Sequence, residues 1–188
     1  MMKNIIVLLL LLLHSTFSIA EQHLTFGIVP QQSASKLAQL WSPIMEEISR
    51  QSGLSIHFTT APDIPTFEKR LAAGKYDIAY MNPYHYTVFH EQVGYQALAK
   101  VRDKRIKGII VVAKGSNIRS LSELKNSTLA FPAPAAFAAS ILTRAALSEN
   151  QVNFTPKYVS SHDSVYRSIA KGIYPAGGGI VRTFNTVD

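Results

Sequence analysis

Apolar and polar residues alternate through His23-Leu24-Thr25-Phe26-Gly27-Ile28-Val29, and the run stops at Pro30. That pattern predicts a buried strand. A cap at Ser33 or Ser35 opens a long helix to about residue 52, ended by Gly53. Its apolar positions Leu37, Leu40, Trp41, Ile44, Met45 and Ile48 recur at three and four residues, the spacing of one helix face. A strand over 54–59, with Ile56 and Phe58 on one face, a turn over 62–65, a short helix over 66–73 stopped by Gly74 and a strand over 76–81 follow. Strands alternating with helices in this way imply a parallel sheet covered by helices.

Asn82-Pro83 starts another helix, running to about Gln92, with proline tolerated in its first turn. Residues 95–101 read as strand-like. Residues 100–107 hold five basic side chains and one acid, Asp103, and read as a solvated turn before an apolar strand at 108–113. A short capped helix at 120–124 and a strand at 128–131 come next. The pattern then repeats: a stiff Pro132-Ala133-Pro134 turn, an alanine-rich helix over 135–148, a strand over 154–160, a helix over 162–171 capped by Ser161 and stopped by Gly172, and the triple glycine Gly177-Gly178-Gly179. The expected architecture is α/β in two lobes, residues 21–107 and 108–180, with 181–188 beginning a return crossing.

The N-terminus changes what counts as core. Met1 to Ala20 carries one charge, Lys3, then an apolar run from Ile5 to Leu13 and small residues at Ser18 and Ala20. This is the layout of a cleaved secretory leader, with cleavage expected before Glu21. The apolar run is short for a bilayer-spanning helix, which needs about 20 residues. With no cysteine in the chain, no lipid anchor can be attached after the leader. A cysteine-free exported protein held by its core suits a bacterial periplasm.

Of 188 residues, 47% are hydrophobic and 16% charged, so the chain can bury a real core. The absence of cysteine excludes disulfide scaffolds, thiolate metal sites and cysteine nucleophiles. No phosphate loop, dinucleotide fingerprint, nucleophile elbow or H-E-x-x-H motif occurs. His85 and His90 are five residues apart and do not share a helix face. Ser161-His162-Asp163 are sequence neighbours and cannot form a triad. The chain is therefore read as no enzyme, with no cofactor and no metal. The net charge of +7 favours anions weakly. The basic residues are scattered outside 100–107, and no nucleic-acid motif accompanies them.

Binding signals sit where strands turn into helices, the edge at which open α/β sheets take ligands. Met81-Asn82-Pro83-Tyr84-His85-Tyr86 follows one strand, and Phe131-Pro132-Ala133-Pro134-Ala135-Ala136-Phe137 follows another. The second turn's small side chains expose backbone N–H groups at a helix start, which attracts anions; from the residues alone, an ordinary proline-capped helix is the stronger reading. Tyr84 and Tyr86 could instead pack between helices. His162, also at a helix start, could contact an anion or cap its own helix.

Taken in order, Phe26-Gly27-Ile28-Val29-Pro30-Gln31-Gln32, the Lys36-Leu37…Leu40-Trp41…Pro43-Ile44 helix, Gly74-Lys75-Tyr76-Asp77-Ile78-Ala79-Tyr80, Asn82-Pro83-Tyr84, Lys107-Gly108-Ile109, Leu121-Ser122-Glu123-Leu124, Phe137-Ala138-Ala139-Ser140 and Gly177-Gly178-Gly179-Ile180-Val181-Arg182 resemble the substrate-binding proteins of phosphate/phosphite/phosphonate ABC importers. The resemblance covers essentially all of residues 21–188. It implies a type II periplasmic-binding-protein-like fold, two α/β lobes with a hinge, closing on a small oxyanion and presenting it to an inner-membrane ABC permease. It also implies a monomer in the periplasm.

By position, the resemblance implies ligand contacts from Gln32, Asn82, Tyr84 and His85 in the first lobe. From the second it implies Ala135, Ala136 and Phe137 through backbone N–H groups, with Ser140 and His162. Two departures stand out. The Ser/Thr-rich turn common in phosphonate binders is Ala133-Pro134-Ala135-Ala136-Phe137 here. The fold's return to lobe one is also expected to be cut short, so a C-terminally truncated chain or a fragment is expected. The alternative reading is an exported ligand-sensing domain that signals to a membrane kinase or receptor.

Overall fold

Two sheets form in succession along the chain. The computed structural model describes residues 23–187; the leader reading falls outside them. The first sheet has three strands, β1 (His23–Ile28), β2 (Ser55–Thr60) and β3 (Ile78–Tyr80), in the order β2-β1-β3 and all parallel. His23 lies opposite Ser55, Ile28 opposite Thr60 and Phe26 opposite Ile78.

Helix α1 (Ala34–Ser52) packs on the face of β1 that carries Phe26, where Trp41 lies 6.0 Å from the Phe26 ring and 4.9 Å from that of Tyr80. Ser33 caps it, accepting from the Lys36 N–H, and Gly53 in the left-handed region ends it. Helices α2 (Ile64–Ala72) and α3 (Pro83–Val93) belong to the opposite side. There Gly27 has no room for a side chain, because a Cβ would meet the Tyr76 ring at 2.5 Å. Phe67 stacks on that ring at 5.1 Å.

The second sheet has the order β4-β7-β5-β6, made of β4 (Gly108–Val112), β5 (Ser127–Phe131), β6 (Phe154–Tyr158) and β7 (Ala176–Ile180). β5 is parallel to β6 and to β7, whereas β4 runs antiparallel to β7. A one-turn 3₁₀ segment (Leu121–Leu124) precedes β5, and a π-helical segment (Phe137–Leu142) runs directly into α4 (Thr143–Glu149). Helices α5 (His162–Ala170) and α6 (Val181–Phe184) complete the described residues.

The triple glycine is the centre of this sheet. A Cβ on Gly178 would lie 1.9 Å from the Ala139 carbonyl oxygen, and one on Gly108 would lie 2.2 Å from that of Ala138. The π-segment therefore rests directly on the backbone of β4 and β7. On the other face Gly177 and Gly179 leave space for Val165 and Tyr166 of α5, as strand alternation requires.

Three expectations need correction. Residues 95–101 form no strand; Leu98 is 87% exposed there, and the Tyr95 hydroxyl instead donates to the Tyr76 carbonyl at 2.8 Å. The apolar face of α1 is narrower in contact than in sequence: Leu37 and Met45 are buried, whereas Leu40, Ile44 and Ile48 remain exposed. A three-stranded sheet meets one ridge of the helix and leaves the ridge four residues apart uncovered among the described residues. The alanine-rich helix does not start as an α-helix: Phe137–Leu142 is π-helical where it rests on the glycine backbone.

Candidate functional site

Residues from both sheets' connections meet around one small cavity of about 20 Å³. Its lining includes Val29 and Gln31 after β1, Asn82 before α3, Ile106 before β4, Ala136 to Ala139 at the start of the π-segment, His162 opening α5, and Ile180 ending β7. Val29, Asn82 and Ile180 all follow or end strands, so the cavity lies at C-terminal strand ends. Buried apolar packing surrounds it, with Val29, Ile64, Ala136, Ala138, Ala139 and Ile180 in one cluster drawn from both halves of the chain.

Asn82 caps α3 by accepting the His85 N–H at 2.8 Å through Oδ1, which leaves its amide NH2 as a donor. His162 is 3% exposed. Its backbone N–H donates to the Gln31 carbonyl at 3.1 Å, tying the start of α5 to the loop after β1. Its Nδ1 lies 3.2 Å from Thr183 Oγ1, which in turn lies 2.7 Å from the Tyr166 hydroxyl. Tyr166 also bridges the Ile180 N–H and carbonyl, at 3.1 and 3.2 Å.

Burial lowers the His162 pKa from 6.5 to about 4, so the ring is neutral at neutral pH. Burial also pushes the Tyr166 hydroxyl up, against the opposing hydrogen bond with Thr183. Of the two sequence readings of His162, an anion contact or a cap of its own helix, the cap does not describe it. The cap of α5 is Ser161, which accepts from the Ser164 N–H. The lining holds no Lys, Arg, Asp or Glu, so it offers dipolar donors rather than a counter-charge.

Asn82, Ala136, Phe137 and His162 are thus brought together, and the other expected contacts are placed elsewhere. Gln32 is buried one residue beyond the cavity, its amide donating to Thr186 Oγ1 at 3.2 Å. Tyr84 is 40% exposed on α3. His85 turns into the first sheet's core, 2.9 Å from Glu68 Oε1 and between the rings of Phe67 and Phe89. Ala135 is half-buried outside the lining, and Ser140 is fully buried in the π-segment. One of the expected free donors is already used, since the Ala136 N–H bonds the Ala133 carbonyl at 3.3 Å.

Gln31, Ile106 and Ile180 are lining residues that sequence reasoning missed; a strand-end position is the only signal Gln31 carries, and Gln32 shares it. An open groove along α4 and β6, lined by Ile141, Arg144, Phe154 and Pro156, lies apart from this cavity. Among the described residues no group of three or more His, Asp or Glu side chains is placed to hold a metal ion, and no helix is long and apolar enough to cross a membrane.

The model of a family described as "ABC transporter, phosphonate, periplasmic substrate-binding protein" matches residues 26–187. The phosphate-import protein PhnD of Mycolicibacterium smegmatis is 21% identical over 173 residues, which cover 82% of this chain and 54% of that protein. The chain therefore spans about half the length of the curated relative it matches. A solved binding component of an ABC phosphonate transporter from Pseudomonas aeruginosa superposes with a TM-score of 0.74 at 17% identity, covering 88% of this chain and 59% of that one. PhnD1 from Prochlorococcus marinus in complex with methylphosphonate superposes with a TM-score of 0.77 at 17% identity, covering 88% and 66%. The fold shared with these structures is the type II periplasmic-binding-protein fold.

Proposed function

The chain belongs to the periplasmic substrate-binding proteins of phosphonate ABC transporters, and on that premise we propose that it holds a small phosphate-, phosphite- or phosphonate-like oxyanion between two α/β lobes, 21–107 and 108–180, and presents it to an inner-membrane ABC permease. The family is one of transport binding proteins rather than enzymes. The single observation that supports the oxyanion reading most is the cavity where Asn82, the start of the π-segment and His162 converge. The proposed contacts are the Asn82 amide, the backbone N–H groups of Ala135 and Phe137 and the neutral ring of His162. Gln32, Tyr84, His85 and Ser140 lie outside the cavity lining and are left out of the proposed contacts.

A cavity of about 20 Å³ has room for about one water molecule. Ligand entry therefore requires the two halves to move apart, and affinity should follow how much more tightly the closed state holds the oxyanion than the open one. Without a cationic side chain in the lining, a monoanion is easier to desolvate than a dianion. Calorimetry and thermal-shift assays with phosphate, phosphite and methylphosphonate test the reading. Heat and stabilisation with one of the three support it; no heat and no shift with any of them overturn it.

A further inference from the structure

A second cluster of polar side chains lies at the far end of β1. The parallel register sets His23 beside Ser55 and Thr25 beside His57, so positions 23, 55 and 57 share one face of the sheet. His23 Nδ1 is 3.0 Å from Ser55 Oγ, Ser55 Oγ is 3.0 Å from His57 Nε2, and the two ring nitrogens are 3.3 Å apart. Ring centroids 5.3 Å apart and a 50° tilt mean that the nitrogen edges, not the ring faces, meet. Both histidines are exposed.

We propose that His23 and His57, with Ser55 beside them, form a surface site for a divalent transition-metal ion, with Cu(II) bound most tightly. Metal–nitrogen bonds of about 2.0–2.1 Å in a tetrahedral site put the two nitrogens about 3.3–3.4 Å apart, and a cis pair in a square site about 2.9 Å apart. The observed 3.3 Å matches the tetrahedral value before any ion is added, and a rotation of the exposed rings that brings the nitrogens about 0.4 Å closer reaches the square one. The three atoms form a triangle, and with both rings exposed the remaining positions would be taken by water. Imidazole suits copper, nickel and zinc, and the affinity order of divalent ions places Cu(II) highest.

The platform is held from the other side. Asp77 Oδ2 accepts from the Thr25 N–H and hydroxyl, both at 2.7 Å, which fixes β1 beside His57. Two imidazoles fall short of the three-ligand sets of catalytic zinc sites, so the site binds an ion and ties β1 to β2 without doing chemistry. It lies at the start of β1, whereas the interlobe cavity lies past its end, about 20 Å away along a six-residue strand. The inference is therefore independent of the oxyanion reading. A leader cut before Glu21 would add the α-amine two residues from His23 as another nitrogen donor, and the test must separate it.

Untagged protein is titrated with Cu(II) and followed by calorimetry, electron paramagnetic resonance and thermal melting. One Cu(II) per chain is expected, with two imidazole nitrogens in the spectrum and a raised melting temperature. His23→Ala and His57→Ala should each weaken binding at least about tenfold and lose the copper-dependent stabilisation, while melting like the parent without metal. His57→Gln serves as a second variant should His57→Ala lower the metal-free melting temperature. Unchanged Cu(II) affinity in the His57 variants overturns the site and puts the ion on His23 and the amino terminus. Binding no tighter than that of a His23→Ala/His57→Ala double variant overturns it as an adventitious ion only.

Discussion

The backbone N–H of His162 donates to the carbonyl oxygen of Gln31 across 3.1 Å. The two residues are 131 positions apart in the chain, and this bond joins the start of α5 to the loop after β1. It brings a buried, neutral imidazole to the edge of the cavity.

His162 makes stability depend on pH. Its folded pKa, about 4, lies below the 6.5 of an unperturbed imidazole. Between those values the unfolded chain binds a proton that the folded chain refuses, so stability rises with pH. The contribution is fully present above about pH 6.5 and is lost as the pH falls toward 4, about 3 kcal/mol in all. Urea melts from pH 4 to 8 should show a steeper acid limb in the parent than in His162→Gln. Parallel limbs would refute this account.

Gly178 is intolerant of any side chain. A Cβ there meets the Ala139 carbonyl at 1.9 Å and the Phe131 ring at 2.7 Å. Gly178→Ala must lift the π-segment off β7 and should cost about 1–3 kcal/mol or more. Gly115→Ala, with nothing within 4 Å, should stay within about 0.5 kcal/mol of the parent. Chemical denaturation of the pair compares them directly.

Asn82 has two separable roles. Asn82→Ala removes the cap of α3 and should cost about 1 kcal/mol. Asn82→Asp keeps an oxygen for the His85 N–H but replaces the amide donor with a carboxylate at the cavity wall. It should melt near the parent and lose most of the heat of methylphosphonate binding. Full retention of that heat would remove Asn82 from the proposed contacts.

Glu68 partners His85 inside the first sheet's core, at 2.9 Å. Glu68→Ala leaves a buried ring nitrogen unsatisfied and should destabilise by about 1–3 kcal/mol. Because the pair faces away from the cavity lining, oxyanion affinity in the folded protein should not change. Calorimetry below the melting range checks this, and a tenfold affinity loss would return His85 to the site.

Much of the fold is legible in local pattern. Alternation in 23–29, the spacing from Leu37 to Ile48 and the stops at Gly53, Gly74 and Gly172 mark elements that the structure forms, because each depends on residues a few positions apart. The strand-end turns at Asn82 and Pro132–Phe137 are legible for the same reason, and Asn82, Ala136 and Phe137 reach the cavity lining. Direction was not. Gln31 and Gln32 read alike in sequence, yet Gln31 lines the cavity and Gln32 turns to Thr186. Asn82 and His85 share one helix start, but one turn of helix sends the His85 ring toward Glu68.

By itself, then, the sequence determined the α/β class, most of the order of elements and the family, since an ordered series of local motifs carries all three. Tertiary structure decided which atoms meet. The neutrality of His162 comes from burial by residues on other elements, the seat of the π-segment from the bare backbone of Gly108 and Gly178, and the His23–His57 pair from a strand register that joins residues 34 apart. Those contacts have no local signature, because chain separation says nothing about distance until the two sheets have formed.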